Sequence, residues 1–206
     1  MDRRSLLKYT AYIMGYAVAA PFTSAILSGC QAEAPATGES YTPQALTAAE
    51  FAALSAMADT MLPATSTPSA SELGVPAFVD LQLARYAEPE DKQRIYGGFK
   101  DWLAQIQMSF GKAYAELPAE QQLRLLNTLD KESIAAAEEL DYRADIPDAD
   151  KSDFEPWWLS LKSMIIGSYF STELIGTQVL AYKPVPGPYQ GCIPLEEATG
   201  GKAWSL

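Results

Sequence analysis

The run DADKSDFE places acids at Asp148, Asp150, Asp153 and Glu155. Alternating oxygen ligands are what a calcium-binding loop supplies, so this spacing is the first in the chain to suggest chemistry. The run lacks the central glycine and the ligand order of an EF-hand. It reads instead as solvated acids before a helix, where the helix N-terminus favours negative charge. Glu88, Glu90 and Asp91 take the same reading. Paired carboxylates could also cleave a glycosidic bond, which needs two of them about 5–10 Å apart in a cleft. With 26 Asp and Glu among 206 residues such pairs are unavoidable, so their presence decides nothing.

Histidine is absent. A Ser-His-Asp or Cys-His arrangement is therefore excluded, as is any imidazole ligand to metal or haem. The two cysteines, Cys30 and Cys192, form no CxxC pair for a zinc or haem site. No GxGxxG follows a strand and no GxxxxGK[ST] is present, so nucleotide phosphates have no visible cradle. A net charge of −11 with no Lys/Arg stripe excludes nucleic acid as a partner and a basic patch for anionic lipid. Trp157, Trp158, Tyr169, Phe170 and Tyr189 could stack on a sugar, but aromatics at this density read first as core and protein interface. Candidate catalytic, cofactor-binding and metal-ligating residues are therefore none.

The elements that would position these groups are helical. Thr47 and Glu50 have the spacing of a capping box, and Phe51, Leu54, Ala58 and Met61 follow at helical period. Pro63 ends that helix. Gly74-Val75-Pro76 opens a second, with Phe78, Leu81, Leu83 and Tyr86 as its apolar positions. Pro89–Phe110 is a third, with Ile95, Phe99, Trp102, Leu103 and Ile106 on one side. Gly97-Gly98 weakens its middle by about 1 kcal/mol per glycine unless close packing requires them. A fourth follows Pro118, with Leu123, Leu125, Leu126 and Leu129 inward. A fifth carries Trp157, Leu161, Met164, Ile165 and Tyr169, and a short last helix spans roughly Ser171 to Leu180. From Ala181 the chain is rich in Pro and Gly and has no period. The class is all-α: one helical domain of about five or six helices, 47–181, with a long irregular C-terminal arm, 182–206.

The N-terminus contains a different kind of signal. Arg3 and Arg4 are adjacent and Ser5-Leu6-Leu7-Lys8 follows, which resembles the bacterial twin-arginine export signal. No charge occurs from Tyr9 to Gly29, yet Gly15, Pro21, Thr23 and Ser24 make the run a weak membrane span and a better signal peptide. Leu27-Ser28-Gly29-Cys30 resembles a lipobox. In such signals the cysteine sulfur is lipidated and the chain is cut before it, leaving several acyl chains as a durable anchor. Segment 1–29 is thus expected to be signal peptide, and 30–46, rich in Ala, Pro, Gly, Ser and Thr, a flexible tether. Gln31 after Cys30 leans toward the outer membrane. With Cys30 lipidated, Cys192 is an odd cysteine in an oxidising compartment: a free buried thiol or an intermolecular disulfide.

Four blocks in order, FAALSAMADTMLP, GVPAFVD, YFSTELIG and VPGPYQGC, resemble the gluconate 2-dehydrogenase subunit 3 family. Asp59, Leu62 and Pro63 fall in the first block, and Gly74, Val75, Phe78 and Asp80 in the second. Tyr169, Ser171, Glu173 and Gly176 fall in the third. The last holds Pro186, Gly187, Tyr189, Gly191 and Cys192.

The resemblance implies a non-catalytic small subunit. Its partner would be an FAD-dependent dehydrogenase of the glucose-methanol-choline class, which oxidises sugars or sugar acids and passes electrons to a cytochrome c. This chain would hold no cofactor itself. It would carry the export signal for the folded flavoprotein through the twin-arginine translocase. The aromatic helix and the arm are the expected partner interface: Trp157, Trp158, Tyr169, Phe170, Tyr182, Pro186, Tyr189 and Cys192, with Val185, Ile193 and Trp204 beside them. Cys192 is the candidate for a disulfide to the partner. The location implied is the periplasmic side of the envelope. The alternatives are a stand-alone periplasmic sugar-binding lipoprotein and an enzyme working through carboxylates.

Overall fold

Thr47 starts the first helix as its sequence requires. Its hydroxyl accepts the Glu50 N–H while Glu50 Oε2 accepts the Thr47 N–H at 2.8 Å, closing a capping box at the head of α1, Ala48–Met61. A computed structural model describes residues 41–143, 145–147, 154–185, 187–188 and 191–205, all within one compact unit, Tyr41–Leu206. Arg3, Arg4, Cys30, Pro186 and Tyr189 lie outside the described residues.

The remaining elements follow in chain order. They are α2, Val75–Arg85; α3, Pro89–Phe110; a 3₁₀ turn, Tyr114–Glu116; α4, Ala119–Asp141; α5, Trp157–Phe170; a π-type turn, Ile175–Val179; and α6, Leu195–Thr199. No strand occurs among the described residues, and the domain is all-α.

The sequence of α5 explains why it is central. WWLSLKSMIIGSYF is apolar over most of its circumference, interrupted by Lys162 and the exposed Ser163, the mark of a helix covered on most sides. It packs against α2, α3 and α4, and α1 packs against α2, α4 and the 3₁₀ turn. Trp158, Leu161, Ile165 and Tyr169 of α5 join Leu54 and Met57 of α1, Val79 of α2 and Phe99 of α3 in one buried cluster.

The expected apolar face of α2 is corrected by the structure. Phe78 and Tyr86 are 47% and 74% exposed, and only Leu83 of the residues expected inward is buried with Val75 and Val79. The row Val75, Val79, Leu83 advances by four and fixes the buried face, leaving Phe78 on the other side. Gly74 caps this helix at φ 73°, a conformation that disfavours any β-carbon. In α4, Leu126 and Leu129 are buried but Leu123 is exposed. That helix runs without a break to Asp141.

The described end of the expected tether, residues 41–46, lies against the domain. Leu46, at the end of the expected tether, is in the core. Beyond α5 the chain loops round through α6 and comes back: Ala181 N–H donates to the Ala203 carbonyl at 2.8 Å, and Ser205 N–H to the Ala181 carbonyl at 2.9 Å. The backbone of the C-terminal stretch therefore closes on its own base.

Candidate partner-binding surface

Burial sorts the aromatic residues singled out in the sequence. Trp158 is 1% exposed, and its indole N–H donates to Asp130 Oδ1 at 2.9 Å. Tyr169 is buried as well, and its hydroxyl bonds Thr67 Oγ1 at 2.9 Å and the Pro68 carbonyl at 3.0 Å, fastening the α1–α2 connection to α5. Neither ring offers a partner any surface. Trp157 and Phe170 are partly buried against the core. Trp157 stacks at an angle on Phe99, Trp102 and Trp158, with ring centroids 6.1–6.3 Å apart. The aromatic helix is thus mostly an internal strut.

The C-terminal loop is different. Tyr182, Val185, Ile193, Leu195 and Trp204 are all exposed, with Trp204 at 46%. They sit on a loop that the Ala181–Trp204 bridge holds shut, so the rings are presented from a fixed base. Large apolar side chains gathered on a closed loop are the composition of a protein interface centre. Cys192 is exposed with a free thiol and sits at φ 56°, left-handed backbone that few residues other than glycine adopt. The expectation of a buried thiol at this position is corrected by that exposure.

Charged groups inside the domain serve structure. Lys162 Nζ lies 2.6 Å from Asp130 Oδ1, the same oxygen that accepts from Trp158. The Lys162 hydrogen bond, aided by Trp158 and opposed by burial, holds the Asp130 carboxyl below its usual range. Burial pushes the Tyr114 hydroxyl up to about 12, and burial with the adjoining Glu50 charge raises Tyr96.

Two concavities were candidates for a ligand. One of about 290 Å³ lies between α1, α4 and α5, lined by Met61, Leu126, Asp130, Trp158 and Lys162. Its charged groups are committed to each other. The other, about 530 Å³, is an open groove over Arg94 between α2, α3 and α5. Arg94 donates to the Glu155 carbonyl at 2.8 Å and Ser160 Oγ at 3.1 Å, and pairs with Asp91 at 2.7 Å. Among the described residues no three His, Cys, Asp or Glu side chains converge on a possible metal site. No described helix is long and apolar enough to cross a membrane.

Residues 48–187, more than half the chain, match the family described as gluconate 2-dehydrogenase subunit 3. The chain belongs to that family. The match spans α1 to α5 and the start of the C-terminal loop. Membership names a subunit of a dehydrogenase, so a catalytic dehydrogenase chain is implied as partner. The chain matches no curated protein and no solved structure.

In the sequence Asp80 stands out only as part of the GVPAFVD block, with no role of its own. It is the buried carboxylate that the sequence reading missed. A lone Asp in an apolar helix stretch was the available signal, because a buried acid must find donors.

Proposed function

We propose that this chain is the non-catalytic small subunit of a periplasmic, FAD-dependent sugar or sugar-acid dehydrogenase. It gives the catalytic flavoprotein a twin-arginine export signal, a stabilising contact and a lipid anchor at Cys30. The supporting observation is membership of the subunit 3 family across the helical domain. The sequence adds Arg3-Arg4 and the LSGC run, and its lack of histidine agrees with a chain that does no chemistry. FAD belongs to the partner, as does electron transfer to a cytochrome c.

In this reading the partner docks on the C-terminal loop. Tyr182, Val185, Ile193 and Trp204 supply the apolar contact and Cys192 a thiol at its edge. The buried rings of Trp158 and Tyr169 hold the domain in shape behind it.

The test is isolation from membranes through a C-terminal tag. A yellow complex with sugar or sugar-acid dehydrogenase activity is the expected product. A chain that purifies alone and binds a sugar would instead support the stand-alone binding lipoprotein. Changing Arg3 and Arg4 to Lys should leave both chains in the cytoplasm.

A further inference from the structure

The chain enters the helical domain through Tyr41-Thr42-Pro43-Gln44-Ala45-Leu46, a segment with no helix or strand of its own. One side chain gathers it. Asp80, on α2, is 0% exposed. Its Oδ1 accepts the N–H groups of Ala45 at 3.0 Å and Leu46 at 2.9 Å. Its Oδ2 accepts the Gln44 N–H at 2.7 Å and the Tyr41 hydroxyl at 2.6 Å. A carboxylate offers about four lone-pair sites, and four donors meet them. Three successive backbone N–H groups turned to one point make an anion-binding concavity, here filled by the protein's own acid. Pro43, with its fixed φ, precedes that turn. Burial and the Asp80 contact together raise the Tyr41 hydroxyl well above its ordinary value.

We propose that Asp80 and Tyr41–Leu46 form a latch: the segment docks as a strap on α2 and can release while the helices stay folded. The strap's polar grip is concentrated on Asp80, while Leu46 anchors its end in the core with Ala45 packed against the same cluster, and lesser contacts lie at its edges. Arg85 Nε donates to Gln44 Oε1 at 3.1 Å on the exposed side, and the Tyr41 ring lies 5.3 Å from that of Phe51. The next amide belongs to another system, because Thr47 N–H is held by Glu50 inside the α1 cap. The boundary between latch and helix thus falls between Leu46 and Thr47. Release would free six residues, about 20 Å of extended chain, to whatever precedes Tyr41. The latch does not rest on the functional reading; only this consequence for a tether does.

Amide hydrogen exchange on the full chain tests it. Asp80→Asn keeps the shape but replaces one acceptor oxygen by an NH₂ group that faces two donors. Exchange at Gln44, Ala45 and Leu46 should rise at least tenfold, while Thr47 and the amides of α3 to α5 keep their protection. Unchanged protection at 44–46 would overturn the latch, and so would loss of protection throughout the helices, since the strap would then not be separable. Should Asp80→Asn fail to fold, Tyr41→Phe decides: it removes one donor and keeps the ring on Phe51. Faster exchange confined to 44–46 supports the latch, and no change or a global change overturns it.

Discussion

Gly98 of α3 and Trp157 of α5 touch so closely that a β-carbon at position 98 would overlap the indole, whereas at Gly97 nothing lies within 4 Å of the same added atom. The two glycines look alike in sequence and have opposite reasons to exist. Gly97→Ala should stabilise the domain by up to about 1 kcal/mol, the helix-propensity gain. Gly98→Ala has that gain too, but it must displace a ring packed among Phe99, Trp102 and Trp158. Overpacking of this kind costs about 1–3 kcal/mol, so the net effect is destabilising. At about 2–4 °C per kcal/mol, thermal melts should move Gly97→Ala upward and Gly98→Ala downward. Equal shifts would show that Trp157 yields freely.

Asp130 should make the stability of the domain acid-sensitive. Its carboxyl is held below the ordinary value by Lys162 first and Trp158 second. A depressed folded-state value means stability that is present above the unfolded value, about 3.9, and lost as pH falls through the lower folded value. Asp130→Asn leaves an acceptor for Trp158 but no charge for Lys162. The pair is about 30% exposed, so the loss is screened and should be about 1 kcal/mol at pH 7. Urea melts at pH 7 and at pH 3 should show the gap narrowing in acid. A gap that is constant with pH would mean the ionised form of Asp130 is not what matters.

Local rules made much of this fold readable in sequence, and long-range contacts account for most of what was not. Thr47 with Glu50, Pro76 after Gly74, and the apolar rows of α3 and α5 are set within one or two turns of chain. Phe78 and Tyr86 misled because hydrophobicity alone does not say which side of α2 faces α5. Asp80 reaches residues 34 to 39 positions away, a relationship no local spacing shows. The closure of the C-terminal loop has the same origin, since Ala181 meets Ala203 and Ser205 only in three dimensions. For the surface, composition singled out apolar and aromatic residues. It could not separate Trp158, which is core, from Trp204, which is not.

That separation gives a prediction about the partner. Trp204→Ala and Tyr182→Ala remove exposed rings and should leave the far-ultraviolet spectrum and melting temperature nearly unchanged. If the C-terminal loop is the docking surface, each should weaken retention of the dehydrogenase chain, by about 1–2 kcal/mol or five- to thirtyfold in affinity, as for an anchor ring at an interface. Trp158→Ala should do the reverse in order: it empties a core site, costs about 3–5 kcal/mol and loses the partner only through unfolding. Normal retention by the doubly substituted Tyr182→Ala, Trp204→Ala chain would move the interface elsewhere.

Cys192 offers a check that needs no partner-binding assay. Its thiol is exposed, so an aqueous thiol reagent should modify it in the folded isolated chain, and Cys192→Ser should abolish that modification. In the complex the same residue should be blocked, either by contact or by a disulfide to the dehydrogenase chain. Non-reducing gels separate the two: a cross-linked band that disappears on reduction and in Cys192→Ser marks the disulfide, while a blocked thiol with no such band marks contact alone. Full reactivity in the intact complex would place Cys192 outside the interface. The backbone gives an independent reading of why a cysteine stands there. At φ 56° a glycine would be more comfortable, so Cys192→Gly should cost the isolated chain little or no stability. A clear loss of complex formation in that variant, with the fold intact, would assign the residue's purpose to the thiol.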